Sequence, residues 1–440
     1  MLKIIKAKKL IGEINIPGDK SISHRAVMLG AIAEGETVIN NFLMGEDCLA
    51  TINCFKEMGI EIEMSNKGKI IIKGKGIRGV TKPKKILDVS NSGTTIRLIS
   101  GILAGQEFET TITGDASIQK RPMKRIAEPL FRMGAIIEGS EGIEGVGGRR
   151  GTGEIYPPLK IKGGKLRPTE YKMPVASAQV KSCVLLAGLY ADGKTTVIEP
   201  GPSRDHTERM LMHFGAKIEI SGNKISVHGP ASLEGGEIDV PGDISSAAFF
   251  LVAGLLVPGS DLLLRNVGMN PTRIGIIEVL HRMGAKLEIM DEEIISEEPR
   301  ANIRVTSSEK RVTGIEIGGE LIPKLIDEIP IIAVLATQAE GTTIIKDAKE
   351  LRVKESDRIK TISTELKKMG AAIEETEDGM IITGPTKLKG ATINSYRDHR
   401  VAMSMAIAGL IADGETIIED TECIKTSFPG FEDILNRISG

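Results

Sequence analysis

The stretch Val401-Ala402-Met403-Ser404-Met405-Ala406-Ile407-Ala408-Gly409-Leu410 decides the fold, because almost all of its side chains are small or apolar. A helix without a polar face is either buried on all sides or lies in a membrane. The longest run of this kind, about 12 residues, is shorter than the roughly 18 residues that a membrane-spanning helix requires. The stretch therefore predicts a helix buried in the interior of a water-soluble protein.

The same arrangement occurs six times along the chain. An apolar segment ends at a turn that contains glycine, and a strand-like segment rich in Thr, Val and Ile follows. The turn glycines are Gly35, Gly105, Gly193, Gly259, Gly341 and Gly414. They recur about every 76 residues, which is longer than the period of the common short solenoid repeats.

Each unit also contains an amphipathic segment, which predicts a second helix on the outside, followed by short alternating strands. In the stretch 358–369 one face is apolar and the opposite face is charged. The apolar side chains are Ile359, Ile362, Leu366 and Met369, and those predicted to face away are Lys360, Glu365, Lys367 and Lys368. Glycines typical of helix C-caps end these segments at Gly59, Gly134, Gly215, Gly284 and Gly370.

The N-terminal segment complements the last unit. The sixth unit ends soon after residues 431–435, before its closing strands, whereas Leu2–Ile16 is strand-like and belongs to no unit. The tripeptides Pro17-Gly18-Asp19 and Pro241-Gly242-Asp243 each follow a strand-like segment and precede an apolar helix. We therefore predict two lobes of three units each, the second completed by the N-terminal strand. The predicted lobes are residues 19–241 and residues 1–18 with 242–440.

Composition restricts the class of protein. A chain of 440 residues suggests roughly two to three domains with an ample core. The net charge of −2 provides no overall field that attracts nucleic acid or a membrane, and the chain has no Trp for stacking on bases. The cysteines have no metal or redox spacing, and we expect core or near-core positions for Cys48, Cys54, Cys183 and Cys423. Without a secretory signal, we expect a cytoplasmic protein.

Two glycine-rich segments resemble nucleotide-binding motifs, but their surroundings do not fit. Gly188–Thr195 matches the phosphate-loop pattern, yet the apolar segment precedes it and a strand follows, which is the reverse of the required order. Gly74–Gly79 matches a dinucleotide fingerprint, but the following Val-Thr-Lys-Pro-Lys-Lys does not start a helix. Both segments are interpreted as turns.

Polar and cationic residues cluster where four of the apolar helices are predicted to begin. These starts are Asp19–Arg25, Ser90–Arg97, Ser177–Lys181 and Asp398–Arg400. Ser, Thr, Asn and Asp at such positions are ordinary helix caps, which is one explanation. The lysines and arginines indicate another, because a helix N-terminus beside fixed cations suits a multiply charged anion.

Further cationic segments have carboxylates among them. The segments are Lys120–Met123, Leu351–Arg358 and Lys425–Pro429. Asp327 opens the fifth apolar helix, and Glu355 directly follows Lys354. Carboxylates among cations can act as general acid and general base. They can equally be structural partners in ion pairs, and the residues alone leave both interpretations open.

These segments together resemble the EPSP synthase family, the 3-phosphoshikimate 1-carboxyvinyltransferases, and within it the second class. The matching segments are Asp19–Arg25, Asn91–Arg97, Lys120–Met123, Ser177–Gln179, Ser203–Glu208, Asp327–Pro330, Leu351–Arg358, Asp398–Arg400 and Lys425–Pro429. The resemblance implies a two-lobed inside-out α/β barrel (EPT/RTPC-like) with six βαβαββ repeats, three per lobe. It also implies an active site in the cleft between the lobes.

The resemblance implies transfer of the enolpyruvyl group of phosphoenolpyruvate to the 5-hydroxyl of shikimate 3-phosphate, by addition and elimination of phosphate. The catalytic residues it implies are Asp327, Lys354 and Glu355. Contacts to shikimate 3-phosphate would come from Ser21, Arg25, Ser177, Gln179, Ser203, Asp327 and Lys354. Contacts to phosphoenolpyruvate would come from Lys20, Gly93, Arg121, Gln179, Arg358, Arg400 and Lys425. No metal or organic cofactor is expected, nor a nucleic-acid or membrane partner, and we expect a monomer.

The sequence departs from the best-known bacterial pattern in two places. Ala178 replaces a second Ser, and Ser203–Glu208 replaces a segment that contains an aromatic residue, where Arg204 is an additional candidate contact. Members of the second class are often less sensitive to glyphosate, although Gly93 is retained here. One alternative is UDP-N-acetylglucosamine enolpyruvyl transferase, but the loop Gly114–Arg121 lacks the Cys usual in that family. The other is a non-catalytic anion-binding protein on the same fold.

Overall fold

The computed structural model of the chain describes residues 1–65, 68–141, 153–308 and 310–439, and it divides into two compact units. The first unit comprises Gly18–Val240 and Ile295–Glu297. The second unit comprises Met1–Pro17, Pro241–Ile294 and Glu298–Gly440. One boundary therefore falls inside the first Pro-Gly-Asp tripeptide and another immediately before the second.

Helices and groups of short strands are interspersed along the described residues. The helices are α1 (Lys20–Ile32), α2 (Glu46–Glu57), α3 (Gly93–Ala104), α4 (Lys124–Met133), α5 (Ala178–Gly188), α6 (His206–His213), α7 (Ile244–Leu256), α8 (Gly275–Arg282), α9 (Ile322–Leu325), α10 (Ile329–Ala336), α11 (Arg358–Lys368), α12 (His399–Gly409) and α13 (Phe431–Ser439). Short 3-10 helices cover Ile118–Lys120, Gly319–Leu321, Lys349–Val353 and Thr421–Thr426.

The strands are short and belong to small sheets. They are β1 (Leu2–Ile4), β2 (Ile11–Asn15), β3 (Glu34–Asn40), β4 (Glu61–Met64), β5 (Ile70–Lys75), β6 (Leu87–Asp88), β7 (Glu109–Thr113), β8 (Ile136–Glu141), β9 (Ile155–Lys162), β10 (Glu170–Lys172), β11 (Gly193–Ile198), β12 (Ile218–Ser221), β13 (Lys224–Gly229), β14 (Glu237–Asp239), β15 (Asp261–Gly268), β16 (Leu287–Ile295), β17 (Glu298–Thr306), β18 (Glu316–Ile317), β19 (Gly341–Ile345), β20 (Ala372–Glu375), β21 (Met380–Gly384), β22 (Thr392–Asn394) and β23 (Thr416–Glu419).

The three sheets described in the first unit are linked in a closed cycle. Each contains three antiparallel strands from one repeat, and their orders are β14-β3-β5-β4, β6-β7-β9-β8 and β10-β11-β13-β12. The remaining strand of each sheet is parallel to its neighbour and leads out of another repeat, as β6 does beside β7. The cycle closes because β14, the last strand, pairs in parallel with β3 of the first repeat.

The second unit uses the N-terminal segment in the same way. Its sheets, within the described residues, have the orders β16-β17-β15-β2, β18-β19-β21-β20 and β1-β23-β22. Strand β1 is antiparallel to β23, so it provides the strand that the sixth repeat lacks. Strand β2 is parallel to β15 and links the N-terminal segment to the fourth repeat.

Within the described residues, the apolar inner helices are almost completely buried; they are α1, α3, α5, α7, α10 and α12. The prediction of a buried helix at residues 401–410 is confirmed, since every residue of α12 is buried. No helix among the described residues is long and apolar enough to cross a membrane. The phosphate-loop order is indeed reversed, because α5 ends at Gly188 and β11 begins at Gly193.

The amphipathic outer helices end as predicted, but one side chain on α11 was predicted to face the wrong way. The glycine that follows each of them has a positive φ, for example 83° at Gly59 and 92° at Gly370, a conformation that glycine adopts without strain. In α11 the predicted apolar face is buried. Glu365, however, does not face away: it is fully buried and accepts hydrogen bonds from Lys368 Nζ (2.8 Å) and Tyr396 OH (2.7 Å). These donors compensate for the loss of water around its carboxylate.

Candidate functional site

The polar residues at the starts of the inner helices do act as caps. The Asp19 carboxylate accepts a hydrogen bond from the N–H of Ile22 (3.0 Å), and Ser92 Oγ accepts one from the N–H of Thr95 (3.1 Å). Asp398 accepts one from the N–H of Arg400 (2.9 Å). Capping satisfies a backbone N–H group with an Asp or Ser oxygen. It does not involve the neighbouring Lys and Arg side chains, which therefore need a separate explanation.

Two guanidinium groups of the first unit lie close to Gly93 at the start of α3. A Cβ atom added at Gly93 would be 2.8 Å from Arg121 Nη1 and 3.0 Å from Arg97 Nη1. Arg121 Nη2 donates to Asn91 Oδ1 (2.9 Å), which fixes the side chain over this helix start. Positive charge, the helix dipole and a residue without a side chain thus coincide at one point, as a bound phosphate or carboxylate requires.

Gln179 is brought to the same point from another helix. Its Oε1 accepts from Arg97 Nη1 (2.9 Å), and its Nε2 donates to Thr94 Oγ1 (3.0 Å). Arg97 was not among the predicted contacts. The signal for it was available, because Arg97 follows Gly93 by one helical turn and residues four apart lie on the same helix face.

The start of α1 carries Lys20, Ser21 and Arg25. Lys20 Nζ lies 3.2 Å from Asp47 Oδ2. Arg25 is buried and donates from Nε to Thr207 Oγ1 (2.6 Å), from Nη2 to Ser182 Oγ (2.8 Å) and from Nη1 to the carbonyl oxygen of Ser21 (2.9 Å). These bonds to α5 and α6 hold the guanidinium in a fixed orientation.

His24 connects α1 to α2 and α3. Its Nδ1 lies 2.7 Å from Thr51 Oγ1 of α2, and that oxygen lies 2.7 Å from Thr95 Oγ1 of α3. Burial, followed by the nearby charges of Lys20 and Arg25, lowers the pKa of His24 well below its usual value. His24 is therefore neutral in the folded protein and acts as a hydrogen-bonding group.

Two of the three predicted serine contacts, Ser177 and Ser203, have hydrogen-bond partners within the first unit. Ser177 caps α5 by accepting from the N–H of Val180 (3.4 Å). Ser203 donates its hydroxyl hydrogen to Glu199, which also pairs with the buried Lys181 (3.0 Å). Lys181 pairs in addition with Glu208 (2.6 Å), whose pKa burial raises even though Lys181 opposes that shift. Lys181 thus has an internal, structural role.

In the second unit, three carboxylates surround Arg358. Its Nε lies 2.8 Å from Asp398 Oδ2, its Nη1 lies 3.2 Å from Asp327 Oδ1, and its Nη2 lies 2.7 Å from Glu355 Oε2. Burial opposes the charge of Arg358, but Asp398, Glu355 and Asp327 outweigh that effect and raise its pKa. Arg358 therefore stays charged and holds Asp327 and Glu355 at fixed positions.

Lys354 is a second cation near the same carboxylate oxygen of Asp327. Lys354 Nζ lies 3.8 Å from Asp327 Oδ1 and also 3.8 Å from Glu350 Oε1. The side chains of Asp327 and Lys354 are 16% and 23% exposed, so a ligand can still reach both. The interpretation as structural ion pairs is thus correct for these contacts, and it does not prevent the same groups from meeting a substrate.

Arg400 and Lys425 differ in their surroundings. Arg400 is only 6% exposed, and within the described part of the chain its guanidinium has no hydrogen bond or ion pair. A nearly buried cation without a protein acceptor suits a bound anion. Lys425, in contrast, is 61% exposed at the side chain and lies 2.6 Å from Glu422. The described residues contain no group of three or more His, Cys, Asp or Glu side chains that could hold a metal ion.

The fold and these helix starts together define an α/β protein whose inner helices begin with polar caps and nearby cations. The chain belongs to the EPSP synthase family: the family's sequence model, described as EPSP synthase (3-phosphoshikimate 1-carboxyvinyltransferase), matches residues 4–435. The resemblance stated from the sequence and the predicted fold class are therefore confirmed.

Curated relatives and solved structures agree along the full chain. A protein of Brevibacillus brevis named 3-phosphoshikimate 1-carboxyvinyltransferase is 56% identical over 439 residues, which is 100% of both chains. A protein of the same name from Thermoanaerobacter sp. is 56% identical over 430 residues, 98% of each chain. A solved structure of EPSP synthase from Acinetobacter baumannii is 47% identical, with a TM-score of 0.88 over 99% of this chain and 97% of that one.

Proposed function

We propose that this chain transfers the enolpyruvyl group of phosphoenolpyruvate to the 5-hydroxyl of shikimate 3-phosphate and releases inorganic phosphate. The two substrates carry about six negative charges between them, counting up to two for each phosphate. The chain as a whole has a net charge of −2, so its cations must be concentrated locally to bind them. The observation that supports the proposal best is Asp327, held by Arg358 and Lys354 yet still accessible.

For phosphoenolpyruvate, we assign contacts to the groups with charge at helix starts and to their neighbours. They are Lys20, Gly93, Arg121, Gln179, Arg358, Arg400 and Lys425. Gly93 leaves room for a phosphate or carboxylate oxygen beside Arg121. The guanidinium of Arg400 has no hydrogen bond or ion pair with the described residues, so it is available to an anion of the substrate. Lys425 would have to exchange Glu422 for the substrate.

For shikimate 3-phosphate, we assign Ser21, Arg25, Ser177, Gln179, Ser203, Asp327 and Lys354. Arg25 is held in place by Thr207 and Ser182, so its orientation is set before the substrate arrives. Ser203 would redirect its hydroxyl from Glu199 to the phosphate. Ala178 has no hydroxyl group. The hydroxyl groups assigned to shikimate 3-phosphate are therefore those of Ser21, Ser177 and Ser203.

The proposed reaction begins with proton transfers at two positions. Asp327 accepts the proton of the 5-hydroxyl, and Lys354 stabilises the developing negative charge on that oxygen. Glu355, once protonated in place of its ion pair with Arg358, donates a proton to the methylene carbon of phosphoenolpyruvate, and the 5-oxygen of shikimate 3-phosphate bonds to the central carbon of phosphoenolpyruvate. Glu355 then takes a proton back from the new methyl group, and phosphate leaves the same intermediate with the proton held by Asp327, which gives the enolpyruvyl ether and restores both carboxyl groups. The proposal uses no metal or organic cofactor.

We also propose that the protein acts as a monomer in the cytoplasm. The test of function is phosphate release from phosphoenolpyruvate with either shikimate 3-phosphate or UDP-N-acetylglucosamine as the acceptor. Release with the first alone supports the proposal. Release with UDP-N-acetylglucosamine alone would show that this compound, and not shikimate 3-phosphate, is the acceptor. No release from folded protein with either compound would favour a binding function.

A further inference from the structure

The helix starts of the first and fourth repeats have the same sequence pattern but different contacts. Pro17-Gly18-Asp19 leads to Ser21 two residues later, and Pro241-Gly242-Asp243 leads to Ser245. Both aspartates cap their helices, since Asp19 accepts from the N–H of Ile22 and Asp243 from the N–H of Ser245 (2.9 Å). Ser21 is assigned above to a substrate anion.

Ser245 instead meets an anion that the protein itself supplies. Its hydroxyl donates to Oε1 of Glu328, the residue directly after Asp327. Arg273 Nη2 donates to Ser245 Oγ (2.8 Å) and lies 3.1 Å from Asp243 Oδ1. All four side chains are buried, and Glu328 is completely so. A hydrogen-bonded chain therefore runs from Asp243 through Arg273 and Ser245 to Glu328.

We propose that Glu328 is a positioning residue: its carboxylate occupies the start of α7 as an internal anion and thereby fixes Asp327. This inference rests on the proposed function, because it concerns the group assigned as the base. The backbone makes the connection direct, since Glu328 is bonded to Asp327 and its carbonyl oxygen accepts the N–H of Ile332 in the first turn of α10 (3.0 Å). Anchoring Glu328 to α7 thus fixes where α10 begins.

The position of Asp327 is sensitive to such anchoring. Its carboxylate lies 3.2 Å from Arg358 Nη1 and 3.8 Å from Lys354 Nζ. A displacement of about 1 Å at a catalytic group can reduce the rate on the order of 100-fold. Release of Glu328 from Ser245 is therefore expected to lower kcat, even though neither residue is assigned to touch a substrate.

The experiment compares Glu328→Ala and Ser245→Ala with Ser246→Ala, a matched serine change one residue further along α7. We expect kcat to fall roughly 10- to 100-fold in the first two variants and to stay within about twofold of wild type in the third. Added formate, a small carboxylate that fits the space left by Glu328, should restore part of kcat in Glu328→Ala.

The outcomes separate this inference from the proposed function. Phosphate release by the wild-type protein tests the function, whereas kcat of each variant relative to wild type tests the positioning. If Glu328→Ala does not fold, Ser245→Ala decides the question alone. Unchanged kcat in folded Ser245→Ala would overturn the inference, as would a loss in Glu328→Ala that formate leaves unchanged.

Discussion

Replacement of Gly93 by Ala tests directly whether the two guanidinium groups beside it bind phosphoenolpyruvate. The new Cβ would lie 2.8 Å from Arg121 Nη1 and 3.0 Å from Arg97 Nη1, closer than ordinary van der Waals contact allows. Both side chains must therefore move by some tenths of an ångström, and the methyl group also fills the space assigned to a substrate oxygen. The backbone itself is not strained, because Gly93 is in the first turn of α3 and does not have a positive φ.

The expected effect follows from the hydrogen bonds that would be disturbed. Loss of one hydrogen bond to a charged group costs about 1.5–3 kcal/mol. We therefore expect KM for phosphoenolpyruvate to rise by roughly 10- to 100-fold. The free energy of unfolding should not decrease, since Ala favours a helix over Gly by about 1 kcal/mol.

The assay is steady-state phosphate release with each substrate varied in turn, together with denaturant unfolding. Gly236→Ala is the matched control, because a Cβ there meets no atom within 4 Å and the backbone does not have a positive φ. We expect this control to keep the wild-type KM. An unchanged KM for phosphoenolpyruvate in Gly93→Ala, with both guanidinium groups still present, would refute the assignment of this helix start to that substrate.

Three other changes have equally definite expected results. Asp327→Asn should lower kcat by about 10²- to 10⁴-fold in a folded protein, as measured by phosphate release; near-normal kcat would exclude a role as base. Arg400→Gln should weaken phosphoenolpyruvate binding, measured by calorimetry, and should not destabilise the fold, because the guanidinium makes no hydrogen bond within the described residues; unaltered affinity would contradict its assignment. His24 has a lowered pKa when folded, so the unfolded chain binds its proton first and stability is lost as pH falls below about 6.5, by up to about 1.4 kcal/mol per pH unit. The stability of wild type relative to His24→Asn, from denaturant unfolding, should therefore be constant above that pH and decrease below it; a difference that does not vary with pH would show that His24 titrates normally.

Local sequence patterns predicted the elements of the fold well because those elements depend on nearby residues. The apolar stretch 401–410 has no polar face, and its burial follows from that alone. The ends of the outer helices could be predicted because few residues other than glycine adopt the positive φ that follows a helix, and these glycines have it. The closed cycle of sheets was not predicted, since the parallel pairing of β14 with β3 joins segments about 200 residues apart.

The candidate site shows the same difference between local and distant contacts. The helix starts could be found from the sequence because the capping residues and cations are adjacent in the chain. The bonds from Arg25 to Ser182 and Thr207 could not, since these hydroxyls come from helices far along the chain. Glu365 was placed wrongly because helical periodicity does not indicate that Tyr396 and Lys368 provide donors for a buried carboxylate.

Phosphorus NMR of the protein with phosphoenolpyruvate and shikimate 3-phosphate follows both substrates of the proposed transfer at once. We expect the phosphoenolpyruvate signal to disappear, inorganic phosphate to appear in equal amount, and the shikimate phosphate signal to shift without being lost. Phosphate formed without any change in the shikimate phosphate signal, or no reaction in folded protein, would show that the chain does not catalyse this transfer.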